Sequence, residues 1–186
     1  MSDDPFKKKA RQDYIDAVQF PETVTLTPIG VVRSPYRERH GTPRQAVVSR
    51  GALGGKPQDA TIELFSEVVP PEAFTGLEGF SHIWVVTWLH LNRHWNPMVV
   101  PPRGPKKKQG VLATRAPHRP NQIGLSALRL VGVDGGTLHV RGIDLLDQTP
   151  VLDVKPYVPY ADAFPDARAG WLDELDEAPD GPDRPS

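Results

Sequence analysis

The chain has no cysteine, no long apolar run and a formal net charge of only −1. Without cysteine it has no disulfide framework, no thiolate metal ligand and no thiol nucleophile. No segment approaches the ~18 apolar residues that a bilayer-spanning helix needs, and the acidic start, Met1 to Asp4, lacks the apolar core of a signal peptide. The sequence therefore predicts a cytoplasmic protein without a membrane segment, and one that is not strongly basic overall.

What the chain does contain is typical of a β-rich domain. Its 186 residues fit one domain, and 21 prolines with 16 glycines indicate many turns. Residues 1–22 carry a lysine run followed by an amphipathic stretch that Pro21 would end, which predicts a short N-terminal helical arm. Residues 163–186 form an acidic C-terminal tail, expected to be disordered past about Ala178.

Several segments between the arm and the tail predict strands or turns. A short helix should begin at Pro71 and close at Gly76 or Gly79, and Asp134-Gly135-Gly136 is typical of a hairpin turn. The run Phe80–Leu91 is the most apolar and predicts a central strand buried on both faces. The apolar and β-branched content predicts further strands over Val24–Pro35, Ala60–Phe65, Leu128–Val133 and Thr137–Val140.

The stretch Gly110–Ser126 concentrates polar chemistry between apolar segments. Pro117 and Pro120 fix φ and remove two backbone donors, which predicts a stiff loop that presents Arg115 and Arg119. Gly124 would permit a close backbone approach or an unusual φ. The composition is equally consistent with a surface turn whose arginines face water, and the loop 36–45 leaves the same two interpretations open.

Three further groups of residues have the composition of possible binding sites. His90 and His94 stand four apart, a spacing that makes a ligand pair only on a helix, so no metal site is predicted. The proline-rich basic segment 92–108 is most simply a solvated surface, with binding of an anionic polymer as the alternative. Asp144, Asp147 and Asp153 lie in an apolar setting and need partners, which Arg115, Arg119 or Lys155 could supply.

Five ordered blocks resemble the TsaA/YaeB (TrmO) family over about Val24 to Asp162. The blocks are Ile29–Tyr36, Gly41–Gln45, Leu77–Trp84, Gly110–Ser126 and Asp144–Tyr160. The resemblance implies a mainly β, single-domain β-barrel, here residues 23–162, that binds S-adenosylmethionine without a Rossmann fold. It also implies a homodimer with the cofactor near the subunit interface, and methylation of N6 of threonylcarbamoyl-adenosine in tRNA.

The resemblance also implies site residues. By matching blocks, the cofactor contacts would be Pro43, Arg44, Gln45, His82, Ile83, Arg115, Leu125, Asp144, Leu145, Leu146, Asp147 and Gln148. Arg115 would meet the cofactor carboxylate, and Asp144 or Asp147 its ribose or amino group. Asp153 and Tyr157 are the candidates for a general base. A binding sensor without catalysis, and a nucleic-acid-binding barrel without a cofactor, are the alternative functions.

The chain departs from the family pattern at two residues and in its extent. Gln122 and Gln148 stand where the pattern has proline and glycine, and Gln148 would alter a turn that needs positive φ. Bacterial tRNA enzymes of the family carry a further C-terminal domain thought to help hold tRNA, whereas this chain ends soon after the barrel. Cofactor binding is therefore implied more directly than the tRNA substrate.

Overall fold

A computed structural model describes residues 22–38, 42–43, 58–102 and 106–176. Its strands are β1 (Gly30–Arg33), β2 (Asp59–Leu64), β3 (His82–Trp88), β4 (Met98–Val99), β5 (Gln109–Gly110), β6 (Ile123–Asp134), β7 (Thr137–Arg141) and β8 (Pro150–Pro156). Its α-helices are α1 (Pro159–Asp162) and α2 (Asp173–Asp176), and 3-10 turns span Pro71–Phe74, Leu77–Gly79, Val111–Ala113 and Gly170–Leu172. No helix within these residues is long and apolar enough to cross a bilayer.

Six strands close a barrel in the order β1-β2-β7-β6-β3-β8, and every neighbouring pair is antiparallel. Strands β4 and β5 form a separate two-stranded ribbon within the connection between β3 and β6. The mainly β barrel predicted from the sequence is confirmed. The predicted N-terminal arm lies almost entirely outside the described residues.

The barrel interior is filled by apolar side chains that alternate along the strands. In β3, Ile83 and Val85 are fully buried whereas His82 and Trp88 are exposed. One face of this strand therefore points into the core and the other outward, so the predicted burial on both faces is wrong. The core is built from Val32, Tyr36, Ala60, Ile62, Ile83, Val85, Leu128, Leu130, Leu138, Val140, Ile143, Leu145 and Val151.

Several local predictions can be compared with the structure. The hairpin turn is confirmed, with Gly135 and Gly136 at positive φ, and so is the short helix beginning at Pro71. The first strand is shorter than predicted, because β1 starts only at Gly30. The apolar run Val111–Ala113, which precedes the predicted stiff loop, forms a 3-10 turn.

The glycine at position 124 has the close approach predicted for it. A Cβ atom there would lie 2.5 Å from Thr87 Oγ1, on the neighbouring residue of β3. Only a residue without a side chain fits against this buried threonine.

A register shift in β8 decides which of its side chains face outward. Val86 pairs with Asp153 but Thr87 pairs with Val151, which leaves Leu152 as an extra residue in β8. Beyond this bulge Val154 packs against the core, so its neighbour Asp153 faces outward. The bulge thus keeps an aspartate out of the barrel interior.

Candidate functional site

Three long connections leave the barrel at the same end, which we call the loop end. They are residues 34–58 between β1 and β2, residues 89–122 between β3 and β6, and residues 142–149 between β7 and β8. Their convergence follows from the antiparallel order, since Arg33, Trp88 and Arg141 are all strand ends on this side. Three segments that the sequence singled out for ligand binding are therefore brought to one end of the molecule.

The connection 142–149 is tied to the end of β1 by backbone hydrogen bonds. Ser34 Oγ donates to Leu145 O at 2.7 Å, and the Asp147 amide donates to Tyr36 O at 2.7 Å. In return, Asp147 Oδ1 accepts from the Ser34 amide at 3.2 Å. The Leu145 side chain is buried in the core. These bonds fix the position of Asp147, one of the predicted cofactor residues.

Asp144 reaches toward the barrel from the same connection. Its Oδ1 accepts a hydrogen bond from Ser126 Oγ at 2.7 Å, and Ser126 is a buried residue of β6. Burial, and then the nearby Asp144 carboxylate, raise the pKa of Tyr36 above its usual value. The Tyr36 phenol therefore stays neutral at physiological pH. Neither Ser126 nor Tyr36 was singled out from the sequence as a partner of Asp144.

Gln148 is at φ +63°, the only non-glycine residue at positive φ among those that the structure describes. Its amide donates to Val32 O at 2.8 Å. Glutamine thus adopts here the left-handed conformation that glycine favours, and its side chain adds strain that a glycine would not have.

The remaining predicted cofactor residues differ in accessibility. Pro43 is half-buried, whereas Arg44 and Gln45 lie outside the described residues. Arg115 and Leu125 are exposed, and Leu125 faces outward from β6 with 57% of its surface accessible. Ile83 is fully buried in the core, so only its backbone could reach a ligand.

The connection 89–122 is held in shape by side chains that bond to backbone carbonyls. Arg119 Nη1 donates to Thr114 O at 2.8 Å and lies 3.2 Å from Val111 O. His118 Nδ1 lies 2.9 Å from His94 O, which joins the two arms of the connection. Arg119 is therefore a structural clamp for the loop that presents Arg115.

The tail also contributes to this loop. Trp171 Nε1 donates to Ala113 O at 2.8 Å, so the chain after β8 returns to the loop end and contacts the 3-10 turn there. This contact is not predictable from the sequence, because nothing in the local pattern of Gly170-Trp171-Leu172 specifies a partner 58 residues earlier.

A second group of predicted site residues lies on the outside of the barrel near its opposite end. The rings of His82 and Tyr157 are 6.3 Å apart, and Tyr157 also packs against Trp84 at 5.4 Å. Asp153 forms an ion pair with Lys155 at 2.6 Å and accepts the Val154 amide at 2.9 Å. Both Asp153 oxygens are therefore engaged.

One of the three acidic residues pairs with a predicted cation, and the other two have different partners. Of the three predicted cations, Lys155 does pair with Asp153. Asp144 and Asp147 instead bond to serines, and Arg119 bonds to carbonyls. A single chain therefore carries the predicted site residues in two groups, Asp144–Gln148 with its neighbours at the loop end and His82 with Tyr157 and Asp153 on the outer wall.

Comparison with known proteins finds consistent matches. A family model described as tRNA-methyltransferase O N-terminal domain matches residues 31–163. A Pseudomonas aeruginosa protein named "Putative S-adenosylmethionine-dependent methyltransferase RcsF" is 47% identical over 81% of this chain and 64% of its own length. The Escherichia coli K12 tRNA (adenine(37)-N6)-methyltransferase is 41% identical over 77% of this chain and 61% of its own length.

Solved structures agree with the sequence matches. The crystal structure of TrmO from Pseudomonas aeruginosa superposes with a TM-score of 0.62 and 44% identity, over 80% of this chain and 62% of that one. The chain thus spans a little over three fifths of the length of these relatives. The residues matched by the family model contain the whole barrel from Val31 onward and all three connections at the loop end.

Proposed function

Because this chain belongs to the family described as the tRNA-methyltransferase O N-terminal domain, we propose that it transfers a methyl group from S-adenosylmethionine to N6 of threonylcarbamoyl-adenosine in tRNA. The observation that supports the proposal most is that the connections containing Arg115, Asp144 and Asp147 leave the barrel at the same end. The matched relatives are named as a tRNA methyltransferase and an S-adenosylmethionine-dependent methyltransferase.

The side chains at the loop end fit the chemistry of the cofactor. An exposed guanidinium at Arg115 suits a carboxylate, and the carboxylates of Asp144 and Asp147 suit ribose hydroxyls or an ammonium group. Leu125 offers an exposed apolar surface for an adenine ring. The proposed contact set also includes Pro43, Arg44, Gln45, Leu145, Leu146 and Gln148. His82 and the backbone of Ile83 lie near the opposite end of the barrel and would join the set from a second copy of the chain. Bound there, the cofactor supplies an electrophilic methyl group.

In the reaction, a bond forms between the acceptor nitrogen and the methyl carbon while the sulfur–carbon bond breaks to leave a thioether. The acyl group on the nitrogen eases loss of its proton, which passes to a base. The work of the protein is then alignment and exclusion of water. Asp153 and Tyr157 are our candidates for the base, and Asp153 would first have to release Lys155.

We also propose that the active form is a homodimer with the cofactor near the interface. The outward faces of β3 and β6 present adjacent apolar residues, with exposed Trp88 opposite exposed Ile123 and exposed Leu125 opposite half-buried Val86. Such a patch is typical of an interface. It lies between the two groups of predicted site residues, so a second copy packed on it could bring one group against the other.

Light scattering tests the dimer. Ile123→Glu should convert a dimer to a monomer, whereas Val24→Glu, at an exposed apolar residue outside the patch, should not. A wild-type monomer at micromolar concentration would refute the dimer.

We further propose a cytoplasmic location, where tRNA is found, which cell fractionation would check.

Methyl transfer is tested with labelled cofactor and total tRNA from a strain that lacks the activity, followed by digestion to nucleosides. We expect label in methylated threonylcarbamoyl-adenosine. If the protein binds cofactor but labels no nucleoside, while a longer relative does, the catalytic proposal is wrong for this chain.

For the cofactor contact, Arg115→Ala should weaken S-adenosylmethionine binding at least tenfold, about 1.4 kcal/mol. Arg168→Ala removes an exposed arginine in the tail and should leave the affinity unchanged. Calorimetric titration of both variants measures the difference. Equal affinity of a folded Arg115→Ala protein and the wild type would remove Arg115 from the site.

A further inference from the structure

A groove of about 320 Å³ lies within the connection 89–122, and none of the residues proposed to hold the cofactor lines it. It is lined by Trp95, Pro97, Gly110, Val111, Leu112 and Pro120. All six are apolar or lack a polar side-chain group, and Leu112 is 77% exposed. The groove therefore offers an aromatic face and aliphatic walls to solvent, a surface suited to a flat apolar ligand.

The walls of the groove are held in place before any ligand arrives. The Val111 amide donates to Pro97 O at 2.9 Å, and the bond between His118 and His94 joins the same two arms. Arg119 fixes the carbonyl groups on the Val111 side. Because these bonds order the groove in advance, binding would cost little conformational entropy.

The segment that forms the groove contains charged residues of one sign. No aspartate or glutamate occurs between Glu78 and Asp134, whereas eight lysines and arginines do. Lys106, Lys107 and Lys108 directly precede Gln109 and Gly110 at the groove, and all three are exposed. Within the part of the chain that the structure describes, none of the three has an acidic side chain in salt-bridge range.

The apolar groove with its tryptophan and the neighbouring lysines together indicate which class of molecule binds here. A second copy of the chain placed here would bring the same cations against these lysines, which disfavours self-association. Single-stranded RNA, in contrast, binds through aromatic side chains that stack on its bases and cations that face its phosphates. Enzymes that modify a base also need it unstacked.

We propose that the groove receives an unstacked base of the tRNA loop that carries the methyl acceptor, stacked on Trp95, while Lys106 to Lys108 face the flanking phosphates. The assignment rests on the proposed function for the identity of the RNA. It adds a site for the acceptor strand, adjacent to Arg115, that uses none of the proposed cofactor contacts.

The test uses the full chain and a synthetic anticodon stem-loop that contains threonylcarbamoyl-adenosine. Trp95→Ala should weaken RNA binding, measured by fluorescence anisotropy at fixed salt, at least tenfold, and Trp95→Phe should retain most of the affinity because its ring still stacks. Replacing Lys106, Lys107 and Lys108 by glutamine should reduce the slope of log affinity against log salt concentration. S-adenosylmethionine affinity, measured by calorimetry, should stay within twofold in every variant.

The outcomes separate the two proposals. If Trp95→Ala binds the RNA as the wild type does, the groove assignment is wrong, whether or not methyl transfer occurs. It is also wrong if Trp95→Ala changes the molecular mass in solution, since the groove would then contact a second copy. If the wild type neither binds cofactor nor methylates the RNA, the proposed function is wrong. The groove assignment would still be supported if the wild type bound the RNA and Trp95→Ala did not.

Discussion

Residues 142–149 and residues 89–122 both leave the barrel at the loop end, but they are stabilised in different ways. The shorter connection buries Ile143, Leu145 and Thr149 and exchanges backbone bonds with the end of β1. The described part of the longer one is mostly exposed and is held by the short β4–β5 ribbon and a few side-chain bonds to its own carbonyls. We therefore expect substitutions in the shorter connection to change both stability and ligand binding. Substitutions in the longer connection should change ligand binding alone.

The same substitution in each connection tests this difference most strongly. Leu145→Ala removes a side chain that is 6% exposed and should lower the free energy of unfolding by about 2–5 kcal/mol. Leu112→Ala, at an exposed position of the longer connection, should change it by less than about 0.5 kcal/mol. Urea denaturation of both variants gives the comparison. Similar losses would mean that the longer connection is as much a part of the core as the shorter one.

The junction between the longer connection and the barrel is the next test. Gly124→Ala would place a Cβ 2.5 Å from Thr87 Oγ1 and should cost about 1–3 kcal/mol. Thr87 Oγ1 is buried and has no hydrogen-bond partner among the described residues, so Thr87→Ala breaks no such bond. Added to Gly124→Ala, it should restore part of the lost stability. Additive losses in this double-mutant cycle would exclude the steric explanation.

The sequence was most informative where the physical signal is local. The turn at Gly135 and Gly136, the short helix at Pro71 and the close approach at Gly124 follow from glycine and proline chemistry that a few neighbouring residues determine. The barrel itself was expected from the family blocks, and the structure confirms it.

The contacts that sequence reasoning missed join residues far apart in the chain. Ser126 with Asp144 and Trp171 with Ala113 are brought together only by barrel closure and by the return of the tail. The bulge at Leu152 reverses which residues of β8 face the core, and no periodicity of two can reveal that. The absence of acidic residues between Glu78 and Asp134 is visible in the sequence, but it bears on binding only because the structure brings Trp95 and Leu112, 17 positions apart, into the lining of one groove.

Arg119 offers a smaller, local test of the longer connection. Arg119→Gln loses the guanidinium donor to Thr114 O and Val111 O, and because a hydrogen bond contributes about 1 kcal/mol, amides 111–116 should exchange roughly fivefold faster. The unfolding midpoint in urea should hardly change. Arg115→Gln, which removes an exposed neighbour, serves as the control and should leave amide protection unaltered. Equal protection in both variants would rule out the clamp.

The smallest expected effect lies within the shorter connection, where one glycine and one glutamine both adopt the left-handed conformation. Gln148 is at φ +63° and Gly142 at φ +87°. Gln148→Gly relieves the steric cost of a side chain there, and after the entropy cost of glycine is subtracted, it should stabilise the protein by up to about 0.5–1 kcal/mol. Gly142→Gln makes the reverse change and should destabilise it by a similar amount. Thermal unfolding of the two variants should therefore move in opposite directions. A lower melting temperature for Gln148→Gly would mean that the glutamine side chain contributes more contacts than its backbone strain removes.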